Sequence, residues 1–272
     1  MKSWSIVLVM LASAVGCSGE RSAQIAAPES SMVREPAPVK VREVASSAPA
    51  VDRSRELADP DCVEQDAKET LQRAHLNHAA KSKEERAEML RIRDEAIAYR
   101  TKEYGYFEGF GRRRDNPKTP GQQSKTTTFF GLPVILHERV IPALRCVEQQ
   151  LMRDCAGEGY KPSNLSGLRR KNTYVDGEVS NHGYGIAIDI DPLRNPCCKC
   201  LEPWSSSERC KGKDKTVWER MAMPKCWVET FERFGFYWLG HDVLEDTMHF
   251  EFLGDPEQVR RVHEPVAQGW AN

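Results

Sequence analysis

The sequence lacks the features of two large classes of protein. Among its 272 residues, 39 are basic and 40 are acidic, which leaves a formal net charge of −1. This balance argues against a protein that binds nucleic acid through bulk positive charge. No apolar run approaches the roughly 18 residues that a membrane-spanning helix needs. We therefore expect a globular protein of one large or two small domains, since a domain holds roughly 150 residues.

The N-terminus has the pattern of a secretory signal. Lys2 precedes an apolar stretch, Ile6–Leu11, and small residues follow. The stretch ends at Ala14-Val15-Gly16-Cys17, which resembles the bacterial lipobox, where a lipid is attached to the cysteine and cleavage occurs just before it. We expect a signal peptide over 1–16 and lipidation of Cys17, hence an exported lipoprotein of the bacterial cell envelope that faces the periplasm. Because Ala14 stands where leucine is usual, an ordinary signal peptide with an incidental cysteine is the alternative.

The rest of the chain divides by composition. Residues 17–58 have no aromatic residue and are rich in alanine, serine and proline, which predicts a lipidated cysteine followed by a flexible tether. A helical N-terminal extension and loop are expected over 59–128, and the main domain over 129–272.

Hydrophobic periodicity gives a coarse set of elements. It predicts helices at Asp61–Tyr104, at Leu132–Leu151 with a bend at Pro142, at Thr216–Phe234 with a break at Pro224, and at Gln258–Gln268. Residues 105–128 are expected to be loop, and short strands and turns begin at Tyr160. Helices followed by a small strand region predict an α+β fold.

The cysteines support export to an oxidising compartment. Without Cys17, the remaining eight form an even set: Cys62, Cys146, Cys155, Cys197, Cys198, Cys200, Cys210 and Cys226. Up to four disulfides are expected, although the sequence does not choose among the 105 pairings. Those of the cluster 197–210 are expected to fasten the insertion 191–216 to the domain. In a reducing cell, this cluster would instead indicate a structural zinc site.

One stretch combines an imidazole with two carboxylates. In Ser180-Asn181-His182-Gly183-Tyr184-Gly185-Ile186-Ala187-Ile188-Asp189-Ile190-Asp191, isoleucines alternate with Ala187, Asp189 and Asp191, which predicts a strand entered through a glycine-containing turn. A second stretch, Asp246-Thr247-Met248-His249-Phe250-Glu251-Phe252, puts His249 and Glu251 on one strand face. Histidine and carboxylate are suitable zinc ligands, and a catalytic zinc needs three protein ligands. A hydrogen-bonded structural triad is the alternative.

These stretches resemble the zinc D-alanyl-D-alanine carboxypeptidase family, the VanY-like group that also includes L-alanyl-D-glutamate endopeptidases. The family signature S-x-H-x-x-G-x-A-x-D is matched over Ser180–Asp189, and its acid-x-x-H element over Asp246–His249. An upstream S-G-aromatic-R element is matched in part by Ser166-Gly167-Leu168-Arg169. The resemblance covers about half the chain and implies a single zinc site. Together with the predicted elements and the cysteines, it leads us to expect a small antiparallel sheet flanked by helices, which carries this site and is stapled by disulfides.

The resemblance also implies roles for individual residues. His182, Asp189 and His249 would bind Zn²⁺, and Asp246 would be the general base, in a place where many members have glutamate. Arg169, with Arg170 as a near alternative, would bind substrate and stabilise the transition state, and Ser180 would contact substrate or support the turn. From the residues themselves, we expect Glu251 and Asp191 to be outer or structural partners rather than ligands, because ligating imidazoles commonly need an orienting acceptor. His241 is a candidate for the cleft rim.

The implied function is zinc-dependent hydrolysis of peptidoglycan stem peptides, first as a D-alanyl-D-alanine carboxypeptidase. An L-alanyl-D-glutamate-type endopeptidase is the close alternative, and a non-catalytic wall-binding lipoprotein on the same fold is the third. The expected partners are peptidoglycan stem peptides and, through the lipid, a membrane; nucleic acid is not expected.

Overall fold

The structure is a computed structural model that describes residues 57–72, 82–171, 179–200 and 203–261. All of them lie within one compact unit, Ser47–Asn272. The predicted signal peptide, Cys17 and all but the last two residues of the predicted tether lie outside the described residues. Within the described part, no helix is both long and apolar enough to cross a bilayer.

The described part combines four α-helices with two antiparallel sheets, so the predicted α+β class is confirmed. The helices are α1 Lys83–Tyr104, α2 Ile141–Asp154, α3 Asn181–Tyr184 and α4 Lys225–Arg233. The strands are β1 Ser124–Phe129, β2 Leu132–His137, β3 Leu165–Ser166, β4 Ala187–Ile190, β5 Phe236–Trp238 and β6 His249–Phe252.

The larger sheet has the strand order β3-β4-β6-β5, and each pair is antiparallel. Alternation of side chains divides β4 and β6 into two faces. Ile188 and Phe250 are cross-strand partners on the face that joins the hydrophobic core. Asp189 and His249 are partners on the opposite face. The sheet therefore has one apolar side for stability and one polar side for the site.

Helix α4 covers the apolar side of this sheet. Phe231 stacks on Phe250 with ring centroids 4.2 Å apart and meets Phe236 edge-on at 5.2 Å. All three rings are fully buried. Burial of an aromatic side chain contributes about 1.5–3 kcal/mol relative to exposure, so this cluster fixes the strands from behind. The predicted break at Pro224 is present, because a 3₁₀ turn, Val217–Arg220, precedes the proline and α4 follows it.

The smaller sheet is a β-hairpin that we predicted wrongly. Strands β1 and β2 occupy part of the expected loop and the first third of the expected helix Leu132–Leu151. Phe130 and Gly131 both have positive φ, 49° and 77°, as the two central residues of a type I′ hairpin turn require. Pro142 lies in the first turn of α2, where its missing N–H costs nothing. The proline therefore starts the helix instead of bending it.

The N-terminal helix is shorter than its periodicity predicted. The part Lys83–Tyr104 is confirmed, but residues 61–68 are not helical. Gln65 N donates to Arg233 O over 2.9 Å, and Lys68 N donates to Leu253 O over 3.0 Å, so this segment runs along the domain in extended form. Of the predicted terminal helix, only the 3₁₀ turn Gln258–Arg261 lies within the described residues.

Four disulfides use all eight expected cysteines: Cys62–Cys146, Cys155–Cys226, Cys197–Cys200 and Cys198–Cys210. In the chain-entropy account the stabilisation grows with the length of the closed loop. It is about 4.5 kcal/mol for the bridge with sequence separation 84 and about 2 kcal/mol for the one with separation 3. The last two bridges close within the insertion 191–216, so the expectation that they fasten it to the domain is wrong.

Candidate metal centre

The register of β4 against β6 brings two predicted ligands together. Asp189 and His249 are direct cross-strand partners, and such partners have their side chains on the same face about 5 Å apart. His249 Nδ1 lies 2.9 Å from Asp189 Oδ1. Both side chains are buried, with 3–4% of their surface exposed.

The third predicted ligand, His182, reaches the same point from α3. This one-turn helix ends at Gly185, which has a φ of 71° and whose N–H bonds to the carbonyls of Asn181 and His182. A Cβ at Gly185 would approach His137 N to 3.0 Å and Ser124 Oγ to 2.9 Å. The backbone therefore needs glycine here, both for the left-handed turn and for space. The turn leads directly into β4 and places His182 Nε2 3.1 Å from Asp189 Oδ1.

The three ligand atoms form a nearly equilateral triangle. His182 Nε2 and His249 Nδ1 are also 3.1 Å apart. Tetrahedral zinc with bond lengths near 2.0–2.1 Å would need edges of about 3.3 Å. The observed edges are therefore within a few tenths of an ångström of those that a bound zinc would require.

Hydrogen bonds on the outer side of each ring determine which nitrogens face inward. His182 Nδ1 lies 2.6 Å from Gly167 O, and a carbonyl can only accept, so Nδ1 carries the proton and Nε2 keeps its lone pair. His249 Nε2 faces Glu251 Oε2 at 3.4 Å. Burial lowers the pKa of His249, but its hydrogen bonds with Asp189 and Glu251 raise that pKa to about 10, so a cation would displace the proton on Nδ1 when it binds. Two lone pairs and one carboxylate oxygen would then converge on the cation. Such a donor set fits a divalent cation.

Glu251 is itself held in place. Asn181 Nδ2 donates to Glu251 Oε2 over 2.5 Å, and Glu251 is buried. The expected outer-partner contact of Glu251 is therefore present. Burial favours the neutral acid, but the hydrogen bond and positive charge of His249 hold the pKa of Glu251 below its usual value. Asp191 has the structural role that we also allowed for it, since its carboxylate accepts from Tyr160, Ser163 and Asn164.

Electrostatics keep Asp189 ionised. Burial acts to raise the pKa of this carboxyl, but its interactions with the imidazoles of His182 and His249 hold the pKa well below its usual range. Burial lowers the pKa of His182. Its ring is therefore neutral, as a metal ligand must be.

Arg169 faces the outer oxygen of the aspartate. Its Nη2 bonds to Asp189 Oδ2, while 38% of the arginine side chain stays exposed. The backbone contributes as well, because Arg169 N donates to His182 O over 2.9 Å. Arg170, the alternative in the sequence, is exposed. Of the two arginines, Arg169 is the one that the structure brings to the triad.

The preceding glycine explains why this element lies beside the site. A Cβ on Gly167 would fall 2.2 Å from Ile135 O, a distance that no other residue can tolerate. The close approach lets Leu168 N donate to Ile135 O over 2.8 Å. It also aims Gly167 O at His182 Nδ1. Gly167 and the hairpin carbonyl that it meets were missed as site residues in the sequence, because their contribution comes entirely from the backbone.

Asp246 lies next to the triad without belonging to it. Its side chain is half-buried, and Oδ1 is buried and has no hydrogen-bond partner within the described part of the chain. Burial raises the pKa of Asp246 to about 7. The charge of Asp189 also raises this pKa, whereas the charges of His249 and Arg169 lower it. An unpaired carboxylate oxygen with a raised pKa, beside a candidate metal centre, is suited to accept a proton.

Two other candidates have mainly structural contacts. Ser180 is 2% exposed, and its carbonyl accepts from Gly183 N over 2.7 Å at the start of α3, so its role in substrate binding stays a prediction. His241 Nε2 lies 2.8 Å from Glu232 Oε1, and the ring packs edge-on against Trp238 at 5.0 Å.

Comparison with protein families agrees with this site. The model described as D-alanyl-D-alanine carboxypeptidase matches residues 175–252, which confirms the resemblance over that segment. At the level of the family, this match supports a zinc peptidase that acts on D-Ala-D-Ala-type substrates. The segment is less than a third of the chain; it includes the triad and Asp246 and excludes Arg169. No curated protein and no solved structure matches the chain.

The Glu251 contact predicts a measurable loss of metal affinity. Replacing Glu251 with glutamine removes the negative acceptor that orients His249, so the Kd for Zn²⁺ should rise about 10- to 100-fold. Competition with a chromophoric chelator measures this change. Glu232→Gln is the matched control, because it alters a histidine–carboxylate pair away from the triad and should leave the Kd unchanged. Equal affinities of Glu251→Gln and the parent protein would contradict the orienting role.

Proposed function

We propose that the protein is a zinc-dependent peptidase that hydrolyses peptidoglycan stem peptides, most readily as a D-alanyl-D-alanine carboxypeptidase. The convergence of three lone-pair donors from His182, Asp189 and His249 carries this proposal. Bound there, zinc would lower the pKa of a water molecule and polarise a substrate carbonyl.

The remaining chemistry is assigned to residues of this chain. Asp246, with its unpaired Oδ1, accepts the proton of the attacking water and returns a proton to the leaving amine. A guanidinium has five N–H donors, so Arg169 can hold Asp189 and still bind an anionic group of the substrate. The C-terminal carboxylate of a D-alanyl-D-alanine stem is such a group, and a planar fork suits it. This favours a carboxypeptidase over cleavage inside the stem.

A digest of defined muropeptides tests the reaction. Zinc-loaded protein should remove one terminal alanine from a stem ending in D-Ala-D-Ala, as seen by mass spectrometry. Asp246→Asn should retain zinc but lower kcat about 10²- to 10⁴-fold, the usual contribution of a general base. Internal cleavage would identify an endopeptidase instead. Full zinc occupancy without cleavage of any stem would favour a non-catalytic wall-binding protein.

The raised pKa of Asp246 predicts the pH dependence. The base acts in its ionised form, so kcat/KM should fall as the pH decreases through the pKa of Asp246, which burial raises to about 7. A bound dication favours the ionised form, so about 7 is the upper bound for this acid limb. The limb should move in Asp246→Glu, where the carboxyl group sits one methylene farther from the backbone. An identical limb in both proteins would assign the titration to another group.

We also propose that the protein is exported and anchored in the envelope through a lipid on Cys17. All eight other cysteines pair in four disulfides, which suits an oxidising compartment and leaves Cys17 for acylation. Mass spectrometry of the N-terminal peptide from cell membranes should find a diacylglycerol on Cys17. Cys17→Ser should release the protein from the membrane fraction. A mature N-terminus at another residue would contradict the anchor.

A further inference from the structure

The turn that carries Asp246 is held by the loop of the Cys197–Cys200 disulfide. Cys197 and Asp246 form an isolated antiparallel bridge, and Lys199 N donates to Leu244 O over 3.1 Å. Thr247 Oγ1 donates to Pro196 O over 3.0 Å. The two segments therefore stay side by side through contacts that do not involve the sulfur–sulfur bond.

This arrangement places two sulfur atoms beside the carboxylate of Asp246. Cys197 Sγ, Cys200 Sγ and a carboxylate oxygen of Asp246 all lie within 4.8 Å of one another. Tetrahedral zinc with two thiolate ligands at about 2.3 Å would separate the sulfurs by about 3.8 Å. Two cysteines three residues apart are a common half of a zinc site. Asp246 Oδ1 is free of hydrogen bonds among the described residues, so it needs no rearrangement of partners to act as a ligand.

We propose that reduction of the Cys197–Cys200 disulfide creates a second metal site, in which both thiolates and Asp246 bind a soft divalent ion such as Zn²⁺ or Cd²⁺. The reductant is a dithiol. Its thiolate attacks the sulfur of Cys200, the half-exposed member of the pair, and its second thiol releases Cys200 as it closes its own disulfide. The products are two cysteine thiols and one oxidised reductant, and each thiol gives its proton to solvent when the metal binds.

The other bridges leave the fold in place during this step. Cys62 and Cys146 are buried, and the long loop that they close makes their bridge the larger contribution to stability. The Cys197–Cys200 bridge closes the shortest loop of the four, so its loss relaxes the unfolded chain least.

The second site would regulate the first. If the proposed function is correct, a metal bound to Asp246 removes the general base, so the reduced, metal-loaded protein would be inactive while its triad stays intact. Thiol–disulfide exchange with the oxidised form of the dithiol would re-form the Cys197–Cys200 bond, return that disulfide to its dithiol, expel the ion and restore the base. This consequence rests on the proposed peptidase; the metal site does not.

Metal content measures the site independently of catalysis. The background variant is Cys198→Ser/Cys210→Ser, which removes the neighbouring bridge and its thiols. After gel filtration from excess Cd²⁺, the oxidised background variant should hold about one ion per chain, as one three-ligand site implies. After reduction by a water-soluble phosphine it should hold about two, with an ultraviolet thiolate-to-cadmium charge-transfer band. Alkylation and mass spectrometry identify the bridges that were opened.

Two further variants test the contributions of the two thiolates and of Asp246 separately. Cys197→Ser/Cys200→Ser in the same background should hold about one ion before and after the reductant. Asp246→Asn should keep the thiols but bind the second ion at least about tenfold more weakly, since even outer partners of a ligand contribute that much. No gain of metal on reduction, or loss of the near-ultraviolet circular dichroism of the aromatic core, would overturn the second site. Absence of cleavage by the oxidised parent protein would overturn only the peptidase.

Discussion

The site depends on three electron-pair donors that the fold holds close enough to share one cation. Two imidazole nitrogens and a carboxylate oxygen lie 2.9–3.1 Å apart. In a buried, weakly screening environment such donors repel one another unless a proton or a metal ion lies between them. The fold holds them there through outer contacts, chiefly the carbonyl of Gly167 and the carboxylate of Glu251. The three ligand side chains are therefore in position before a metal ion binds.

The larger sheet uses opposite faces for the hydrophobic core and for the three ligands. The apolar sides of β4 and β6 are fixed by the phenylalanine cluster under α4, so the polar sides need not contribute to the core. The hairpin fixes the turn of His182 from the other direction, since His137 N donates to Gly185 O over 2.8 Å. The hairpin, the segment from α3 to β4, and β6 meet at the site because backbone hydrogen bonds join each one to its neighbour.

The elements around the site could be predicted where side-chain alternation was strong. His249–Phe252 alternates polar and aromatic residues, and the structure has a strand over that range. The hairpin was missed because its signal lies in a turn with an uncommon first residue, Phe130, at positive φ. The extended course of residues 61–68 was missed because a disulfide and backbone pairing override local helical periodicity. The contributions of Gly167 and Asn181 depend on tertiary contacts that no local pattern contains.

The bridge between Cys62 and Cys146 also has a mechanical meaning. If the chain is tethered to a membrane at its N-terminus, any pull on the domain enters through the segment that begins near residue 57. Hydrogen bonds such as that between Gln65 and Arg233 would be peeled apart one after another by such a load. The disulfide transmits the force from Cys62 directly to α2. A pull from the envelope therefore does not load the strands that hold Asp189 and His249.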